Sequence, residues 1–82
     1  MKIIKNFLTE EEQKEAFKYL PDQAQVLLNN DDWYAFLDAI NDVIIDDIYE
    51  HNNEITAYGI EVQKYWDRIY IKYEDDVLSE VT

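Results

Sequence analysis

The sequence predicts an all-α fold, a small compact bundle of three to four helices, on three observations. The 82 residues contain one glycine and one proline, too little punctuation for a many-stranded β fold, which needs a turn signal every 8–12 residues or so. A capping-box pattern stands near the start of the chain. Residues 31–50 carry apolar side chains at helical spacing. A hydrophobic content of 48 % and an aromatic content of 15 % are rich enough for a packed core despite a net charge of −12. Residues 1–82 read as a single domain, with the thin stability margin of a chain this short.

The first helix is expected from Thr9 to about Leu20. In Thr9-Glu10-Glu11-Glu12 the threonine hydroxyl has the spacing to accept the N–H three residues on, and Glu12 to reach back. Three glutamates suit the positive end of the helix, and Glu10 and Lys14 are i, i+4 neighbours. Pro21 lacks the donor needed to continue, but is well tolerated at the start of a second, short helix through Ala24, Leu27 and Leu28. Asn29-Asn30 then breaks the chain. Over residues 31–50, at about 100° per residue, Trp33, Phe36, Leu37, Ile40, Val43, Ile44 and Ile48 share one arc. The opposite side holds Asp31, Asp38, Asp42 and Asp46, with Tyr49 continuing the line and Ala35 and Ala39 beside it. The chain is expected to loosen at His51-Asn52-Asn53-Glu54, and Thr56 is a candidate cap for a last element. Tyr58, Val62, Tyr65, Trp66, Ile69 and Tyr73 form a helical stripe there. The competing arrangement is an α+β fold ending in a β-hairpin at about 59–73, because Arg68-Ile69-Tyr70-Ile71-Lys72-Tyr73 alternates strong β-formers and Gly59 weakens a helix start. The tail from Glu74 is expected to fray.

Charge is the strongest functional signal. From Tyr19 to Gln63, 45 residues, there is no lysine or arginine, yet the stretch holds ten carboxylates. The first twenty residues balance at four lysines against four glutamates, so the acidity is regional. Such a field repels nucleic acid and anionic membranes and attracts proteins with a basic working surface. Asp38, Asp42 and Asp46 rise about 6 Å per step on a helix, and like charges so placed cost a few tenths of a kcal/mol per pair. Nothing local offsets that cost.

Other chemistry fails on inventory. The chain has one histidine, no cysteine and a single serine, Ser79, so no nucleophile, base and orienting group can be assembled. Enzymatic activity is not expected. One glycine excludes a phosphate-binding loop. No metal is expected either, because a regular helix cannot wrap its own ligands around calcium, and no other cofactor is implied. No apolar run suits a signal peptide or membrane span, so a soluble protein of the cytoplasm is expected.

The candidate partner-binding residues are Asp31, Tyr34, Asp38, Asp42, Asp46, Tyr49 and Glu50. The carboxylates are spaced on the order of a phosphate backbone, and a tyrosine ring beside a carboxylate can pack on an arginine. In size, cysteine-free composition and its Asp-rich segment over residues 31–50, the chain resembles the small acidic inhibitors of bacteriophages and mobile elements, anti-CRISPR proteins and other DNA mimics among them, and more distantly the acidic immunity proteins. That resemblance implies a blocker of a basic nucleic-acid-binding protein, such as a nuclease or CRISPR effector, in a bacterial host cytoplasm, with no direct binding of nucleic acid. The alternatives are a helical homodimer joined near Tyr65, Tyr70 and Tyr73, and an acidic antitoxin-type accessory protein for one cognate basic partner.

Overall fold

The computed structural model describes residues 3–78. A 3₁₀ turn, Ile4–Phe7, is followed by α1 (Glu10–Tyr19), α2 (Ala24–Leu28), α3 (Trp33–Glu50), α4 (Ala57–Lys72) and a closing π-helical turn, Tyr73–Val77. There is no strand among the described residues. The all-α expectation holds, and the hairpin alternative does not, since residues 57–72 wind as one helix.

The capping box at Thr9 is formed in both directions: the Glu12 N–H donates to the Thr9 hydroxyl at 3.1 Å, and the Thr9 N–H to Glu12 Oε1 at 2.8 Å. Pro21 stands in the turn that starts the next winding. The Leu20 carbonyl there accepts from the N–H groups of Gln23 and Ala24, at 3.1 and 2.8 Å. The 3₁₀ turn is tied down from two sides, by the Ile4 N–H bonded to the Asn30 carbonyl at 2.8 Å and by the Gln13 amide donating to the carbonyls of Lys5 and Leu8. Ile4 is thereby fully buried, and Phe7 meets the edge of Trp33.

The long helix α3 starts at Trp33, the first residue of its apolar arc and two residues into the expected segment 31–50, because Asp32 is the cap: its carboxylate accepts the Ala35 N–H at 3.0 Å. Its far end is closed by backbone geometry. Asn52 and Asn53 take left-handed dihedrals, φ 58° and 66°, and the Asn53 N–H reaches back to the Ile48 carbonyl at 2.9 Å, the six-residue wrap that ends many helices. Asparagine tolerates this conformation better than most residues. The expected loose segment is therefore a hydrogen-bonded reversal, and it lays α4 antiparallel against α3.

One clasp fixes that reversal. Asp47, on α3, is only 7 % exposed, and its carboxylate accepts from both the Thr56 N–H (2.9 Å) and the Thr56 hydroxyl (2.7 Å). Thr56 in turn caps α4, its hydroxyl oxygen accepting from the Gly59 N–H at 3.3 Å. The carboxylate thus sits at the positive end of α4, a favourable place for negative charge. Gly59 is required there: a Cβ would lie 2.4 Å from Asp47 Oδ2 and 2.7 Å from Ile55 Cγ1. Beyond the clasp, Val62, Tyr65 and Ile69 of α4 bury fully alongside Phe36 and Ile40 of α3, while Tyr70 and Ile71, directly after Ile69 in sequence, stay outside. That split is helical rather than alternating.

The small helix α1 closes the core through α4. The Tyr65 hydroxyl donates to the Glu12 carbonyl at 2.6 Å, Arg68 pairs with Glu15 at 2.8 Å, and Lys72 pairs with Glu12. Burial raises the Glu12 pKa, but the Lys72 bond and the Thr9 N–H outweigh it and hold the carboxyl below its ordinary value. The fraying expected from Glu74 does not occur over residues 74–78: Tyr73 and Val77 are both buried, and the ring of Tyr73 packs on Trp33. Residues 79–82 lie outside the described part of the chain.

Gly59→Ala should destabilise the protein by about 1–2 kcal/mol, since the steric cost at the clasp exceeds the roughly 1 kcal/mol gained in helix propensity; urea unfolding that shows an unchanged or higher midpoint would contradict this. The Thr56 N–H, then its hydroxyl, hold the Asp47 carboxyl below its ordinary pKa, against a smaller opposing effect of burial. A folded-state pKa below the unfolded one gives stability that is complete above the unfolded value of about 3.9 and drains away as pH falls through the folded one. Asp47→Asn should therefore be less stable than the parent at neutral pH, and the gap should close below about pH 4; a gap independent of pH would remove the charge from the account.

Candidate functional site

The acidic block divides by what each carboxylate is attached to. Asp47 is inside, in the clasp, and Asp32 is the α3 cap. Glu61, on α4, pairs with Lys18 at 3.2 Å. Asp38, Asp42 and Asp46 lie exposed on the outer face of α3, and among the described residues none of them has an ion pair or a side-chain hydrogen bond. Lys18, Arg68 and Lys72 all pair with carboxylates of α1 or α4. The α1/α4 side neutralises itself, and the α3 side keeps its charge.

Of the residues expected to act together, Asp38, Asp42 and Asp46 rise along one line of α3 over about 12 Å, with Tyr49 continuing it one turn further. Asp31 is set apart. It is exposed but precedes the helix, its N–H bonded to Asn30 Oδ1 at 2.9 Å. Glu50 is exposed at the last helical position, beside a surface hollow lined also by Asp46, Asp47, His51, Thr56 and Tyr58. His51 Nδ1 lies 2.7 Å from the Asp47 carbonyl, so the ring secures the end of α3. No three His, Cys, Asp or Glu side chains among the described residues are placed to hold a metal ion, and no helix there is long and apolar enough to cross a membrane.

The tyrosines differ from one another. Tyr49 is 81 % exposed, and Tyr34 is 70 % exposed with its ring edge against Tyr73 at 5.8 Å. Between them Ile45 is also half exposed, and Ile45, Ile48, Tyr49 and Asn53 line a shallow hollow. Ile45 did not emerge as a candidate from the sequence. Its signal was present, because on a wheel it falls outside the apolar arc, between Tyr34 and Tyr49. By contrast Tyr65 and Tyr73, considered for self-association, are buried in the protein's own core, and Tyr70 is stacked on Trp66 with ring planes 8° apart.

Comparison with protein-family models, with curated proteins and with solved structures finds no match to this chain.

Because the row takes part in no described contact, replacing Asp38, Asp42 and Asp46 by Asn should leave the fold intact and raise stability by about 0.5–1 kcal/mol, the relief of two like-charge pairs on a helix. Circular dichroism with thermal unfolding measures both; a loss of helicity would show that the row supports the fold after all.

Proposed function

We propose that the protein is an acidic binding protein that inhibits a nucleic-acid-binding enzyme, such as a nuclease or CRISPR effector, by occupying its basic groove as a DNA mimic. The observation that supports this reading is the outer face of α3, where three carboxylates stand in a row on a rigid helix without cations of their own. A groove built for nucleic acid holds lysines and arginines at the spacing of phosphates, and binding there releases counterions. A helix that carries a charge about every 6 Å offers a related pattern. Preorganisation adds to it, since the row costs no folding on binding. The same field disfavours direct contact with nucleic acid or an anionic membrane. In this reading the protein acts in a bacterial cytoplasm against the host's or a rival element's enzyme. A homodimer through Tyr65, Tyr70 and Tyr73 has less to build on, with two of the three rings buried.

The parent and the Asp38/Asp42/Asp46→Asn variant, immobilised and challenged at low salt with a nuclease-treated bacterial lysate, should differ. The parent is expected to retain a nucleic-acid-binding protein that elutes on a salt step and whose DNA binding it blocks in solution, because steering between exposed charges is screened beyond about 8 Å at physiological ionic strength. Equal recovery by parent and variant, or a recovered protein whose DNA binding is untouched, would overturn the proposal.

A further inference from the structure

The fold sets a cation between a tyrosine ring and a carboxylate twice. Arg68 lies over the ring of Tyr65, 5.6 Å from its centre, while its guanidinium donates to Glu15 at 2.8 Å. Lys18 lies 5.5 Å from the centre of the Tyr19 ring and donates to Glu61 at 3.2 Å. In each case the ring supplies a face, the carboxylate supplies the charge, and the cation is the chain's own.

The outer face of α3 repeats the ring and the carboxylate without the cation. Tyr34 precedes Asp38 by four residues and Tyr49 follows Asp46 by three, so each ring has a carboxylate one turn away on the same side of the helix, at about 5–6 Å between Cβ atoms. Both rings are far more exposed than Tyr65 or Tyr19, and nothing in the core uses the ring of Tyr49. Beside it, Ile45, Ile48 and Asn53 form a hollow that suits the methylene stem of a long basic side chain. The two pairs are centred about 17 Å apart along α3. A second copy of this chain would bring an equally acidic face and be repelled, so charge complementarity selects a basic partner.

Resting on the reading of α3 as the partner-binding face, we infer that Tyr34 with Asp38 and Tyr49 with Asp46 are two arginine-selective seats, so that the partner meets this helix with arginines rather than lysines. A guanidinium is planar and weakly hydrated, and it can stack on a ring while its edge pairs with a carboxylate. A lysine ammonium is a compact, strongly hydrated point charge and gains less from the ring.

The test uses an arginine–alanine repeat peptide and its lysine counterpart of equal length and charge, titrated into the full chain at physiological salt and followed by NMR of the tyrosine ring protons. The arginine peptide should bind about fivefold tighter, as two exposed ring contacts imply, with the Tyr34 and Tyr49 resonances moving most. In Tyr34→Leu/Tyr49→Leu the preference should vanish while salt-sensitive binding of both peptides remains. Tyr49→Leu alone should lose part of the preference without touching the Tyr34 contact to Tyr73. Equal affinities for the parent, or a preference that survives both leucines, overturns the arginine seats. If the peptides bind alike but the Asp38/Asp42/Asp46→Asn variant loses both, the seats fall and the carboxylate face stands. Undiminished binding by that variant, or no binding of either peptide to the parent, overturns the face and the seats together.

Discussion

A buried carboxylate holding the start of the next helix is an unusual thing for a small acidic protein to depend on, and much of this fold follows from it. With Asp47 bonded to Thr56 and Gly59 pressed close beneath, α4 can begin at only one place and run in only one direction along α3. That register faces Val62, Tyr65 and Ile69 toward the apolar side of α3 and aligns the Trp66 indole with the Leu37 carbonyl, to which it donates at 3.1 Å. Once Tyr65 is in place its hydroxyl can hold α1. The clasp needs Asp47 ionised and nearly dry, which is tolerable because both of its oxygens are bonded by Thr56 and the end of α4 supplies partial positive charge.

The molecule uses its carboxylates in two distinct ways. Glu12, Glu15 and Glu61 of α1 and α4 are spent on cations and a cap, and they hold the bundle together. Those along the outside of α3 contribute nothing to folding and repel one another. A chain with this few cations could have scattered them over both sides, and the segregation leaves one side of an elongated molecule, 43 Å in its longest dimension, with an unbalanced field. The field of the molecule is therefore directional, strongest off one face.

The parts of this arrangement that rest on local rules were legible in the sequence. The capping box at Thr9, the apolar arc of α3 and the Thr56 cap each need only neighbours in the chain. The start of α3 was ambiguous because Asn30, Asp31 and Asp32 are all able caps, and only the geometry picks Asp32. The choice between helix and hairpin for the last element was open for a similar reason: Ile69, Tyr70 and Ile71 suit either, and the burial of Ile69 alone is what packing decided. Asp47 counted as one more member of an acidic block, although on a wheel it falls within the apolar arc rather than opposite it. A charge in that position signals a partner outside its own helix, here Thr56 just across the turn. The burial of Val77 could not be read at all, since it depends on how the end of α4 meets the rest of the core.

The independence of the outer α3 row from the rest of the bundle also bears on how such a protein changes over generations. Residues that hold a fold are constrained by it, and most substitutions there are purged for their effect on stability. Positions 38, 42 and 46 carry no such burden, and losing a charge at any of them eases self-repulsion. Mutational drift at these three positions therefore meets no folding penalty, so the bundle leaves this strip of its surface free to vary.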